Sequence, residues 1–138
     1  MEQLLEGISA ICREAGKAIL EVYEREDLGI QTKSDQSPLT AADLAAQKII
    51  VAGLSKLAPE IPILSEESKL VPFQTRQGWN RYFLVDPLDG TKEFINRNGE
   101  FTVNVALIEE NAPVLGVVYV PVQNVLYTGI VQADKKLA

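Results

Sequence analysis

FTVNVALIEENAPVLGVVYV, residues 101–120, decides the fold. Phe101, Val103, Val105 and Leu107 fall on one face of an extended chain and Thr102, Asn104, Ala106 and Ile108 on the other, the period of a strand rather than of a helix. Asn111-Ala112 turns the chain into a second strand, Val114 to Val120, and Pro121 to Asn124 turns it into a third, Val125 to Ile130. Three consecutive strands joined by short turns make an antiparallel meander. Upstream, Tyr82 to Val85 is a further apolar strand, broken by Asp86-Pro87, and Thr91 to Phe94 forms one helical turn. Ile61 to Leu64 is a shorter strand that delivers Ser65, Glu66 and Glu67 at its C-terminal end, and residues 68–80 read as a surface excursion.

The first part of the chain has a different period. Leu4, Leu5, Ile8, Ile11, Cys12, Ala15, Ile19 and Val22 recur every three or four residues, which predicts an amphipathic helix from about residue 2 to 24. Gly29 to Pro38 is a polar connection. A second helix runs from Thr40 to about Leu57, with Ala41, Leu44, Ala45, Ile49, Ala52 and Leu57 as its expected inner face and Pro59 beyond its end. Helices first and strands later argue for α+β, two N-terminal helices packed on a mainly antiparallel sheet, rather than alternating βαβ units.

Composition limits the chemistry. The 138 residues are 46% hydrophobic and 23% charged, enough apolar side chain for one packed domain and too much for a disordered segment. There is no histidine, which removes Ser-His and Cys-His nucleophile systems and His-ligated zinc. The lone Cys12 makes no internal disulfide and suggests a reducing, cytoplasmic setting. No apolar run is long enough for a transmembrane segment, although peripheral association with the inner face of a membrane stays open. A net charge of −6, with acidic residues in excess in both halves, gives no footprint for a nucleic acid polymer. An anionic small molecule would need bound cations to reverse the local sign.

Asp86-Pro87-Leu88-Asp89-Gly90-Thr91 is the most informative hexapeptide. Two carboxylates three residues apart, with a proline between them and a glycine after them, can converge on one cation together with the Leu88 carbonyl, and oxygen-only ligands favour magnesium or manganese. The same residue types build ordinary surface turns, and the hexapeptide alone does not separate the two readings. Glu66 and Glu67, also following an apolar strand, would add carboxylates at the same end of the sheet, a crowding that needs cations, although Glu67 by itself reads better as part of a solvated acidic loop. Thr40 and Asp43 form a capping-box-like pattern that accounts for both residues structurally. A carboxylate in a helix's first turn can also face a cation site. Gly90 and Thr91 offer amides and a hydroxyl to a phosphate at a helix start, and Lys92 either adds charge or is solvated.

Three separated motifs, SPLTAAD at Ser37 to Asp43, SEE at Ser65 to Glu67 and DPLDGT at Asp86 to Thr91, resemble the inositol-monophosphatase-like, metal-dependent, lithium-sensitive phosphatases. The extension KEFINRNGEFTVNVALI, Lys92 to Ile108, is similar to the bacterial 3'(2'),5'-bisphosphate nucleotidases, although inositol monophosphatases more often carry asparagine where this chain has Glu93. The resemblance covers essentially the whole chain. It implies the N-terminal lobe of a layered αβαβα sugar-phosphatase fold, with Glu66, Asp86, the Leu88 carbonyl and Asp89 binding magnesium, two or three ions on the multi-metal pattern, with manganese as a substitute. It further implies that Glu66, Leu88, Asp89, Gly90 and Thr91 line the substrate site, that Thr91 with Asp43 orients the attacking water, and that Glu67 and Thr40 support from behind. The implied reaction removes the 3'-phosphate of adenosine 3',5'-bisphosphate to leave AMP, in sulfur metabolism. The implied partners are that small nucleotide bisphosphate and a second copy of the chain in a homodimer.

The chain departs from the family in one respect. A further metal-binding aspartate lies in a WDxA motif far downstream in the family, whereas the single tryptophan here, Trp79, precedes Asn80 and stands before DPLDGT. The expectation is therefore an N-terminal metal- and phosphate-binding lobe over residues 1–138, lacking the C-terminal lobe and leaving a strand edge exposed. Three functional readings follow: a bisphosphate nucleotidase, an inositol monophosphatase, and a catalytically weak metal- and phosphate-binding lobe.

Overall fold

A computed structural model describes residues 1–25, 29–32, 38–65 and 78–131. Helix α1, Glu2–Tyr23, buries Ile8, Cys12, Ala15, Gly16, Ile19 and Val22, the stripe its periodicity predicts. Strands β1, Gln31–Thr32, and β2, Pro38–Leu39, pair antiparallel within the stretch read as a polar connection. Helix α2, Ala41–Leu57, follows, then β3, Ile63–Ser65, and β4, Arg81–Asp89. A single-turn helix α3, Thr91–Ile95, leads into β5, Thr102–Glu109, β6, Ala112–Val120, and β7, Val125–Ile130.

The five longer-range strands form one sheet in sequence order, β3-β4-β5-β6-β7. The β4–β7 run is the antiparallel meander, and β3 joins it in parallel, with Ser65 opposite Val85. Both helices cover one face, where Phe83, Val85, Val103, Val105, Leu107, Leu115 and Val117 meet Ile8, Cys12, Ile19, Ile50 and Leu54. The opposite face presents Leu84, Val118 and Tyr127 to solvent, around a groove of about 280 Å³.

Two expectations are corrected. The inner face of α2 is Ala42, Asp43, Ala46, Ile50 and Leu54, one residue round from the expected stripe, and Leu44 and Leu57 are 44% and 38% exposed. Apolar and alanine residues occur on nearly every side of this helix, so periodicity cannot choose between adjacent stripes. Nor does Asp86-Pro87 break the strand: β4 continues to Asp89 through an irregularity in pairing. Proline lacks a ladder donor, and a bulge is where a sheet tolerates that loss.

Aromatic packing anchors α3. Phe94 and Phe101 meet edge-on with centroids 5.2 Å apart, and Tyr23 at the end of α1 lies 5.3 and 5.1 Å from them. Arg97 then donates to the carbonyls of Tyr23 and Arg25, the latter at 2.5 Å, placing a cation where the helix α1 dipole is negative.

Close approach between α1 and β6 depends on Gly16. A Cβ there would come within 2.7 Å of Tyr119 Cδ2 and closer still to Cε2. Tyr119 is not free to retreat, because its hydroxyl donates to Asn124 at 2.8 Å and Arg13 lies over its ring. We expect Gly16→Ala to destabilise the protein by about 1–3 kcal/mol despite the better helix propensity of alanine, measured by urea unfolding. Burial pushes the Cys12 thiol up from 9.0 to about 12. The thiol thus stays neutral in the folded state while the unfolded one ionises near its ordinary value, so its contribution to stability is complete below about pH 9 and is lost as pH rises from there toward about 12. Cys12 should resist iodoacetamide at pH 8 in native protein and react promptly in urea, as followed by mass spectrometry.

Candidate metal and phosphate site

The candidate site lies around the last residues of β4, which runs on to Asp89 past the level at which β3 ends at Ser65. Because these strands run parallel with Ser65 level with Val85, their C-terminal ends share one edge of the sheet. Ser65 donates a short hydrogen bond to Gln47 of α2, which ties the helix layer to that edge.

Asp43 is the centre of the arrangement and is fully buried, as is Thr40. Its Oδ2 accepts from the Thr40 backbone N–H at 2.9 Å and from Thr40 Oγ1 at 2.6 Å, while the Thr40 hydroxyl receives the Asp43 N–H at 3.4 Å. This is a reciprocal capping box, as the sequence pattern predicts. The other carboxylate oxygen, Oδ1, accepts from Thr91 Oγ1 at 3.0 Å. A capping residue alone would not require this second bond across forty-eight residues of chain. Thr91 Oγ1 is also 3.4 Å from the Leu88 carbonyl, but a hydroxyl carries one proton and the shorter contact to Asp43 takes it. The Thr91 oxygen therefore keeps its lone pairs for an incoming donor.

Asp86 and Asp89 are brought to one side by the irregularity in β4. Asp86 pairs with Asn104 and Asp89 with Thr102, so three steps on β4 match two on β5. Positions three apart in a regular strand face opposite ways; one extra residue restores the phase. Asn104 Nδ2 accordingly reaches Asp89 Oδ2 at 3.2 Å while standing opposite Asp86. Gly90 then turns the chain into α3 with φ 91° and ψ 44°, and a Cβ there would lie 2.9 Å from the Glu100 carbonyl oxygen. Only glycine meets both demands. Lys92 is exposed.

Thus Thr40, Asp43, Asp86, Leu88, Asp89, Gly90 and Thr91 are gathered around the ends of α2, β4 and α3. Glu66 and Glu67 lie outside the described residues. Among the described residues no three acidic, cysteine or histidine side chains stand close enough together to hold an ion alone. The donors that are gathered, two carboxylates and a carbonyl, are all oxygen and suit a hard divalent cation. Asn104 and Thr102 were not singled out by sequence. The available signal was a lone asparagine within an apolar alternating strand, which reads equally as a solvated position.

Residues 1–136 match the inositol monophosphatase family. The chain is 55% identical over 126 residues to the 3'(2'),5'-bisphosphate nucleotidase CysQ of Shigella flexneri and 53% identical over 126 residues to that of Escherichia coli K12, covering 91% of this chain and 51% of each relative. Among solved structures, CysQ from Bacteroides thetaiotaomicron, described as a bacterial member of the inositol monophosphatase family, is similar with TM-score 0.79 and 45% identity, over 96% of this chain and 47% of that one. The chain spans about half the length of the relatives it matches. The matching structures bear out the expected helices packed on a mainly antiparallel sheet.

Removing Thr40's hydroxyl leaves the buried Asp43 with one donor fewer at Oδ2. Thr40→Ala is expected to cost about 1–3 kcal/mol, combining a lost cap with an under-satisfied buried carboxylate, as read from a lowered urea midpoint. A change below a few tenths would show that Asp43 is held by other means.

Proposed function

Because the chain belongs to the inositol monophosphatase family, we propose that it forms the metal- and phosphate-binding lobe of a magnesium-dependent phosphomonoesterase of the 3'(2'),5'-bisphosphate nucleotidase type. Adenosine 3',5'-bisphosphate is its proposed substrate, and AMP and phosphate are the products. The observation that carries this reading is the buried Asp43 bonded to Thr91 beside the two carboxylates of the β4 bulge. The nucleotidases named above, at 53% and 55% identity, support the substrate class. No helix among the described residues is long and apolar enough to cross a membrane.

Asp86, Asp89 and the Leu88 carbonyl are the proposed magnesium ligands, joined by Glu66, with manganese a workable substitute. Magnesium, when bound there, supplies positive charge that offsets the phosphate and acidifies water, which replaces the histidine this chain lacks. Gly90 and Thr91 are the proposed seat of the scissile phosphate, with the backbone kept open by the absence of a side chain at Gly90. Thr91 is the residue that orients water. Its proton is committed to Asp43 Oδ1, so its oxygen can accept from a water aimed at phosphorus. As that water loses its proton, Thr91 can take it at Oγ1 and release its own toward Asp43. Thr40 holds the opposite oxygen of Asp43 and so keeps Oδ1 facing Thr91.

The test measures phosphate released from adenosine 3',5'-bisphosphate and from inositol 1-phosphate with and without magnesium. Magnesium-dependent turnover that prefers the nucleotide supports the proposal. A preference for inositol 1-phosphate would overturn the substrate, and no turnover of either would leave a binding lobe rather than an enzyme. In active protein, Asp89→Asn should reduce turnover at least a hundredfold, on the scale of a lost charge-stabilising group, while far-UV circular dichroism stays unchanged. Unchanged turnover in that variant would return residues 86–91 to an ordinary bulge and turn.

A further inference from the structure

We infer that Asn104 is a positioning residue that aims Asp89 at the cation, with Thr102 holding Asn104 in turn. The inference rests on the metal reading above and concerns residues that reading did not require.

Asp89 is the last residue of β4, exposed, and followed by a glycine in the left-handed region. A carboxylate in that position gains no orientation from packing. Its fixed partner is the Asn104 amide, which donates to Oδ2 at 3.2 Å. An ionised carboxylate only accepts, so the amide nitrogen must face Asp89 and the amide oxygen must face away. That oxygen accepts from Thr102 Oγ1 at 2.8 Å, which locks the same orientation from the far side. The strand register explains why one strand can do both. Asn104 stands opposite Asp86 and Thr102 opposite Asp89, so β5 presents its polar pair across the bulge that turns both carboxylates outward. With one Oδ2 lone pair used by Asn104, Oδ1 remains available and the carboxylate plane is set before a cation arrives. Partners of this kind commonly change metal affinity by about 10–100-fold when removed, although they never touch the ion.

An incidental surface hydrogen bond predicts something different. It would contribute little to either stability or metal affinity, because both partners are solvated in its absence. Manganese is a suitable probe, since free Mn2+ can be counted directly by electron paramagnetic resonance without any turnover. Mn2+ would be titrated into the protein and into Asn104→Leu, Thr102→Val and Asp89→Asn, with magnesium as competitor and the thermal midpoint of each recorded in EDTA. We expect Asn104→Leu to bind Mn2+ about tenfold more weakly, Thr102→Val to shift the same way by a smaller factor, and both to melt in EDTA near the unsubstituted protein. Asn104→Leu with unchanged affinity overturns the inference and leaves the metal reading standing. If Asn104→Leu fails to fold, Thr102→Val decides, and unchanged affinity there overturns the inference. No Mn2+ binding by the unsubstituted protein, or full binding by Asp89→Asn, overturns the metal reading and the inference with it.

Discussion

A carboxylate with no exposure to water has to be satisfied by the protein or the fold fails around it, and Asp43 is such a carboxylate. Its donors come from two places, Thr40 at the start of α2 and Thr91 at the start of α3. Satisfying one buried group therefore fixes the distance between the helix layer and the end of strand β4. Gly90 turns the chain sharply enough to bring Thr91 back, the Tyr23, Phe94 and Phe101 rings hold α3 down, and Arg97 ties the loop behind it to the end of α1. The same bond that meets a structural need leaves a threonine oxygen oriented and available to accept.

The bulge in β4 sets the direction of the two carboxylates beside the Asp43 and Thr91 pair. Without the extra residue, Asp86 and Asp89 would face opposite ways, and no single cation could meet both. Pro87 favours the irregularity because it cannot donate to a ladder. The end of β4 thus brings the hydrogen-bonded pair Asp43 and Thr91 close to the two carboxylates of the bulge. Only a few residues of chain separate Thr91 from them.

Much of this was legible in the residues. The α1 stripe and the β5–β7 meander follow from strong periodicity and from turns at Asn111 and at Pro121 to Asn124. The face of α2 was not legible, because alanines and aliphatics surround the helix and only packing against α1 and the sheet selects Ala46 and Ile50 over Ala45 and Ile49. The Thr40 and Asp43 pattern spoke for a cap and for a site at once, and the structure shows that the cap is present and that Asp43 has a further partner in Thr91. Pro87 read as a strand end, since sequence shows the lost donor but not the bulge that absorbs it. Asn104 carried no distinguishing mark, because its meaning lies in a cross-strand register that no single segment contains.

The packing of α1 also has a consequence in time. Its apolar stripe, from Ile8 to Val22, is covered partly by α2 and partly by β5 and β6, with Gly16 seated against Tyr119. On a ribosome, α1 and α2 emerge as a pair many residues before those strands exist. Until Tyr119 is synthesised, the part of that stripe which packs on β5 and β6 has no partner within the chain.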